Sequence, residues 1–146
     1  MIRVLVQTAP FDEGAELATL RFAGVGGIAS FTGIVRGDGG ITELMLDHYP
    51  GMTEQALQTL GREAAARWSL GGVTIIHRVG KLAVGDSIVF VGTAAAHRRE
   101  ALEACAFLID QLKMRAPFWK KERFSDGHEH WVEARASDDN ALARWT

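Results

Sequence analysis

The chain has 146 residues, 47% hydrophobic and 23% charged, with a net charge of −2. That is the profile of one globular domain large enough to bury a core, and it excludes a general polyanion binder. Any anion site must be a local cluster. A single cysteine, Cys105, excludes an internal disulfide framework and disfavours a thiolate metal centre. The opening MIRVLVQTAPFDEG carries acidic residues where a signal peptide would be apolar, and no apolar run reaches membrane-spanning length, so a cytosolic protein is expected.

In chain order the pattern is α+β. Ile2, Val4 and Val6 alternate with polar neighbours, as in a half-buried strand. Asp12 is placed to cap a short helix running to about Leu20, and Gly24 to Gly27 forms a turn. Strands follow from Ile28 to Arg36 and from Ile41 to His48, separated by Gly37-Asp38-Gly39-Gly40. Thr53 is the expected N-cap of a helix whose stripe is Leu57, Leu60, Ala64 and Trp68. Val73 to Arg78 and Ser87 to Thr93 are β-branched runs joined through Gly80 and Gly85-Asp86, so two more strands are expected. The longest helix should span Arg98 to Met114, burying Ala101, Cys105, Leu108 and Leu112 and stopping before Pro117. Phe118 to Arg123 and His130 to Ala134 form a hairpin around Ser125-Asp126-Gly127, and Ser137 caps a short terminal helix.

Charge is distributed unevenly. Between residues 97 and 123 there are seven Lys or Arg side chains against four carboxylates, a local +3 that leaves the remainder near −5. A solvated helix face with pairs such as Arg99 and Glu103 explains part of it. Position points further. His97-Arg98 falls where a strand gives way to a helix N-terminus, a setting whose free N–H groups and dipole favour anions. Arg36 ends another strand beside a glycine-rich loop. If these strand ends are neighbours, Arg36, His97 and Arg98 form a phosphate pocket. Lys113 and Lys120 flank Pro117, so a tight turn can aim both amines into one cleft. Crowded, partly buried amines lose protons more readily, and a neutral amine acts as nucleophile or base.

Other motifs carry less. Gly24-Val25-Gly26-Gly27-Ile28-Ala29 has dinucleotide-loop spacing but lies between a helix and a strand, the reverse of the required order. His128-Glu129-His130 sits in a turn without a third ligand, so no metal is expected. His48 and His77 read as strand histidines with local partners, and Cys105 reads as core.

Four segments go beyond generic patterning: Ala29-Ser30-Phe31-Thr32-Gly33-Ile34-Val35-Arg36; Leu46-Asp47-His48-Tyr49-Pro50-Gly51-Met52-Thr53-Glu54; His77-Arg78-Val79-Gly80-Lys81-Leu82 with Gly85-Asp86; and Ala96-His97-Arg98 followed by Lys113-Met114-Arg115-Ala116-Pro117-Phe118-Trp119-Lys120-Lys121-Glu122. In this order and spacing the chain resembles the large, catalytic subunit family of molybdopterin synthase, from about residue 28 to 135. The resemblance implies an α/β hammerhead fold with an added antiparallel β subdomain, and a homodimer that forms a heterotetramer. Each copy would bind a small ubiquitin-like sulfur carrier, whose Gly-Gly thiocarboxylate tail enters the active site. It implies a sulfurtransferase acting on cyclic pyranopterin monophosphate, opening the cyclic phosphate and leaving the dithiolene of molybdopterin, with no resident cofactor and no metal. Carried over by position, substrate-binding residues fall on Ile34, Val35, Arg36, His97, Arg98, Lys113, Lys120, Lys121 and Glu122, and catalytic ones on Lys113 and Lys120. The loop Gly37-Asp38-Gly39-Gly40 is shorter and more acidic than the family pattern. The competing reading is a non-catalytic module that holds a phosphorylated metabolite or an RNA end. One tyrosine and no interleaving of basic with aromatic residues weigh against RNA.

Overall fold

The computed structural model describes residues 1–132 and 142–145. Two four-stranded sheets share the strands. The first has the order β1 (Ile2–Gln7), β4 (Gly72–Arg78), β6 (Ser87–Ala95), β2 (Gly27–Ile34), with β1 and β4 parallel and the other pairs antiparallel. The second is antiparallel, in the order β5 (Gly80–Ala83), β3 (Ile41–His48), β7 (Phe118–Phe124), β8 (Glu129–Trp131). Helices α2 (Met52–Trp68) and α3 (Arg98–Arg115) pack on one face of the first sheet, and α1 (Glu13–Ala18) lies against β2 and β6.

The α3 stripe forms as its spacing dictates: Ala101, Cys105, Leu108 and Leu112 are all buried, against Val73, Ile75 and Val91 of the sheet and Leu57, Leu60 and Ala64 of α2. Each fully buried Leu or Ile contributes about 2 kcal/mol relative to exposure. Burial pushes the Cys105 thiol up to about 11, leaving it an unreactive core group. A smaller core of Val35, Leu44, Leu46, Val79 and Leu82 underlies the second sheet. Trp145 closes an edge-on cluster with Trp68 and Phe107.

Three local expectations are corrected. Gly51, not Thr53, is the α2 N-cap. Its φ of 85° is reserved for glycine, and its N–H donates to Glu54 Oε1 at 3.0 Å. The Thr53 hydroxyl is spent elsewhere, accepting from Tyr49 N–H and donating to the Pro117 carbonyl, each at 3.0 Å. Second, Gly80 does not merely separate two strands. With φ at 90° it swings the chain off β4 and directly into β5, a strand the sequence reading lacks. Third, β2 stops at Ile34 rather than Arg36. The β2–β6 register skips between Gly33 and Ile34, and Val35 then leaves the ladder to exchange backbone hydrogen bonds with Asp86 and Gly85. Asp12 caps α1 as expected, accepting from Ala15 N–H at 3.0 Å. Ser137 and the Ala134 end of the expected last strand lie outside the described residues.

Candidate active site

The two sheets meet at an open cleft of about 670 Å³. Its walls are the end of β2, the start of β6, the last turns of α3, and the face of the second sheet that carries Leu44 and Leu46. The chain route explains the gathering. Lys113 lies in the last turn of α3, Ala116 ends the helix in extended geometry before Pro117, and β7 begins at Phe118. The Thr53 hydroxyl holds the Pro117 carbonyl, so the turn between Lys113 and Lys120 is anchored to the first turn of α2.

Arg36, Lys113, Lys120 and Glu122 therefore line one cleft with Ile34. Arg36 reaches it from the residues after β2 and pairs at 3.3 Å with Asp38, both side chains being about three-quarters exposed. Such an exposed pair is weak, and an arriving anion competes with Asp38 for the guanidinium. Glu122 is half-buried, 3.3 Å from His130 Nε2. The rest of the lining is largely apolar: Phe31, Ile88, Val89, Val91, Ile109, Leu112 and Phe118. Cations set on apolar walls act on a bound anion more strongly than they would in open water.

Four of the nine sequence-predicted positions stand elsewhere. Val35 is buried in the smaller core, because the register skip at the end of β2 takes it out of the ladder to bond with Gly85 and Asp86. Lys121, on the opposite face of β7 from Lys120, lines a separate shallow groove with Met45 and Asp47, near Glu129 and over the Trp131 ring at 5.1 Å. His97 and Arg98 do occupy the junction of β6 and α3, with His97 as N-cap in extended geometry. Within this chain, however, they do not meet Arg36. Ala95 pairs with Gly27 at one end of the β2–β6 ladder and Ser87 with Ile34 at the other. The two ends are separated by roughly 25 Å of strand.

His77, by its sequence pattern a strand histidine with a local partner, is a cleft residue. His77 is buried in the wall, its ring stacked on Phe118 with centroids 3.8 Å apart and its Nδ1 2.8 Å from the Arg78 carbonyl oxygen. Desolvation, with smaller contributions from the charges of Lys113 and His48, depresses its pKa to about 4, although the bond to Arg78 opposes the shift. Among the described residues no cluster of His, Cys, Asp and Glu could hold a metal ion.

Known proteins share this sequence pattern and fold. The family model described as "MoaE protein" matches residues 6–115. The chain is 52% identical to the molybdopterin synthase catalytic subunit of Ralstonia nicotianae, over 99% of this chain and 85% of that protein. It is 50% identical to the subunit of the same name from Cereibacter sphaeroides, over 99% and 100%. The solved molybdopterin biosynthesis MoaE protein of Burkholderia ambifaria superposes with a TM-score of 0.86 at 49% identity, covering 99% of this chain and 98% of that one. With its two sheets, its cleft and its lysines on either side of Pro117, the chain belongs to the MoaE family.

Proposed function

We propose that this chain is the sulfur-transferring subunit of a molybdopterin synthase. The observation that carries the reading is the convergence of Arg36, Lys113 and Lys120 in one cleft. The reaction brings together a cyclic phosphate and a thiocarboxylate, both anionic. Their repulsion is offset by cations fixed in advance on a largely apolar wall. Arg36 offers a two-pronged site for phosphate oxygens. Lys113 and Lys120, on opposite sides of the Pro117 turn, are the catalytic pair: amines beside the reacting carbon that can hold or pass a proton as sulfur adds and the phosphate ring opens. The carrier's Gly-Gly tail enters as an extended segment, a common mode of peptide capture. This is chemistry of the cytosol. Among the described residues no helix is long and apolar enough to cross a membrane.

The cleft of one chain lacks His97 and Arg98, and a second copy supplies them. Among the described residues no strand covers the outer edge of β2, which carries the exposed Phe31 and Ile34. An open apolar edge is a template for pairing. Antiparallel pairing of two β2 edges about a two-fold axis placed between Ser30 and Phe31, the middle of the strand, sets Gly27 of one copy opposite Ile34 of the other. Gly27 packs against the backbone of Arg98, its missing Cβ only 3.1 Å from the Arg98 Cα. His97 and Arg98 of the partner subunit thus arrive beside Arg36, at a helix N-terminus suited to phosphate. Lys121 remains on the outer face of β7, in its separate groove.

The test is incubation of the purified protein with cyclic pyranopterin monophosphate and a thiocarboxylated ubiquitin-like carrier, with chemical detection of the dithiolene. Dithiolene formation is expected. Failure to form any, with both reactants bound, rejects the reading.

A further inference from the structure

Two polar side chains of the cleft, Thr32 and His77, have no charge to offer an anion, and His77 is the buried one. His77 is 6% exposed, and its Nδ1 lies 2.8 Å from the Arg78 carbonyl oxygen. A carbonyl can only accept, so the ring proton sits on Nδ1 and the lone pair on Nε2. Phe118, stacked on the ring at an interplanar angle of 20°, stops it from turning over. Among the described residues no donor hydrogen-bonds Nε2, although the ring forms part of the cleft wall. Lys113, across the cleft, and His48, on β3, are the titratable groups that act on it. They and the burial keep the ring neutral, with a pKa of about 4. At physiological pH Nε2 is an acceptor held in a fixed position on the cleft wall.

The sheet register sets the distance between His77 and the Arg36 strand. His77 is opposite Val89, and Val89 is opposite Gly33. The ring therefore stands two strand spacings, about 10 Å, from the strand that leads to Arg36. The phosphate is drawn to the Arg36 side, leaving the wall of His77, Phe118 and Leu46 to the other reactant. A Gly-Gly tail has no side chains to recognise; only its backbone N–H and C=O groups can be read. An N–H carried into an apolar wall must find an acceptor there.

We propose that His77 Nε2 accepts a backbone N–H of the carrier's C-terminal Gly-Gly segment, holding the extended tail along the Phe118 wall with its end at Lys113. The proposal rests on the sulfur-transfer reading for the identity of the tail. It adds a tail-binding residue that is not one of the cationic positions.

Binding is measured calorimetrically with the ubiquitin-like carrier in its plain carboxylate form, and with the same carrier lacking its last two residues. His77→Asn puts an amide N–H where Nδ1–H stood, keeping the Arg78 bond but removing the acceptor. His77→Gln returns an oxygen near the Nε2 position. The expected result is at least tenfold weaker carrier binding for His77→Asn, substantial recovery for His77→Gln, and no effect of either on the truncated carrier. In turnover assays the KM for carrier rises and that for the pterin substrate stays within about twofold. Because a buried substitution can disturb folding, the wild-type protein labelled with 15N-histidine gives a second readout. The Nε2 resonance of His77 shifts on adding the intact carrier and not the truncated one. An unmoved Nε2 resonance, or a KM increase confined to the pterin substrate, overturns the assignment. Tail binding through His77 without any dithiolene product would instead leave this inference standing and remove the sulfur-transfer reading.

Discussion

The buried Thr53 hydroxyl donates to the Pro117 carbonyl oxygen at 3.0 Å while accepting the Tyr49 N–H at the same distance. One hydroxyl thereby ties the β3–α2 turn to the hinge between Lys113 and Lys120. Thr53→Val keeps the shape and removes both bonds, leaving a donor and an acceptor unsatisfied. It should cost about 1–3 kcal/mol in urea denaturation. It should also lower kcat by loosening the angle between the two lysines. Unchanged stability and turnover would show that the hinge is held by packing alone.

His77 makes stability depend on pH with a definite sign. Its folded pKa, about 4, is below the ordinary 6.5, so between those values the unfolded chain binds the proton and the folded chain does not. The contribution is fully present above pH 6.5 and is lost as pH falls toward 4, by up to about 3 kcal/mol. Lys113 and His48, the charged or titratable groups that act on the ring, reinforce the effect by repelling an imidazolium. Equilibrium denaturation from pH 7.5 to 4.5 should show stability falling with acidity, with a shallower slope for His77→Gln. Parallel slopes for the two proteins would place the acid sensitivity elsewhere.

Much of this fold is legible in the sequence because period and punctuation agree. The α3 stripe and the strand Ile41–His48 follow from spacing alone, and Pro117 marks the helix end. Lys113 and Lys120 were legible for the same reason, since a proline turn leaves few ways to point the residues around it. The missed features depend on neighbours that are distant in sequence. Thr53 has the composition of a cap, but Pro117 claims its hydroxyl, 64 residues away. Val35 lies in a substrate-binding string by resemblance, yet a skip in the β2–β6 register turns it into the core. His77 lies on a strand buried at every position, so no alternation shows which way it faces. His97 and Arg98 stand on the strand-to-helix junction that their sequence pattern indicates. Strand direction, which no local pattern encodes, sets them at the far end of the sheet from Arg36.

Lys113 and Lys120 are exposed, so removing either amine should leave the fold intact while ending catalysis. Lys113→Ala and Lys120→Ala are expected to melt within a few degrees of wild type, since surface substitutions usually shift stability by less than about 0.5 kcal/mol. Turnover should drop by at least about a hundredfold, the lower range for loss of a general acid or base. A carrier without its terminal glycines should dock through its body and transfer no sulfur. Near-normal turnover by both variants, or sulfur delivered by the truncated carrier, would refute the assigned roles.

If the partner's strand-to-helix junction completes each cleft, two inactive variants should rescue one another. In Arg98→Ala homodimers every cleft keeps its lysines but lacks the incoming arginine. In Lys113→Ala homodimers every cleft has the arginine but lacks an amine. Subunit exchange gives heterodimers in which one cleft draws Lys113 from one chain and Arg98 from the other, both native, while the second cleft lacks both. Random exchange of equal amounts makes half the dimers mixed, so about a quarter of wild-type activity should return. A site built within a single chain gives no rescue, because each chain then carries its own defect into every dimer. Activity measured before and after exchange, with dimer composition read by native mass spectrometry, separates the two outcomes. Rescue would also locate the phosphate between Arg36 of one copy and the α3 N-terminus of the other, a position neither chain can build alone.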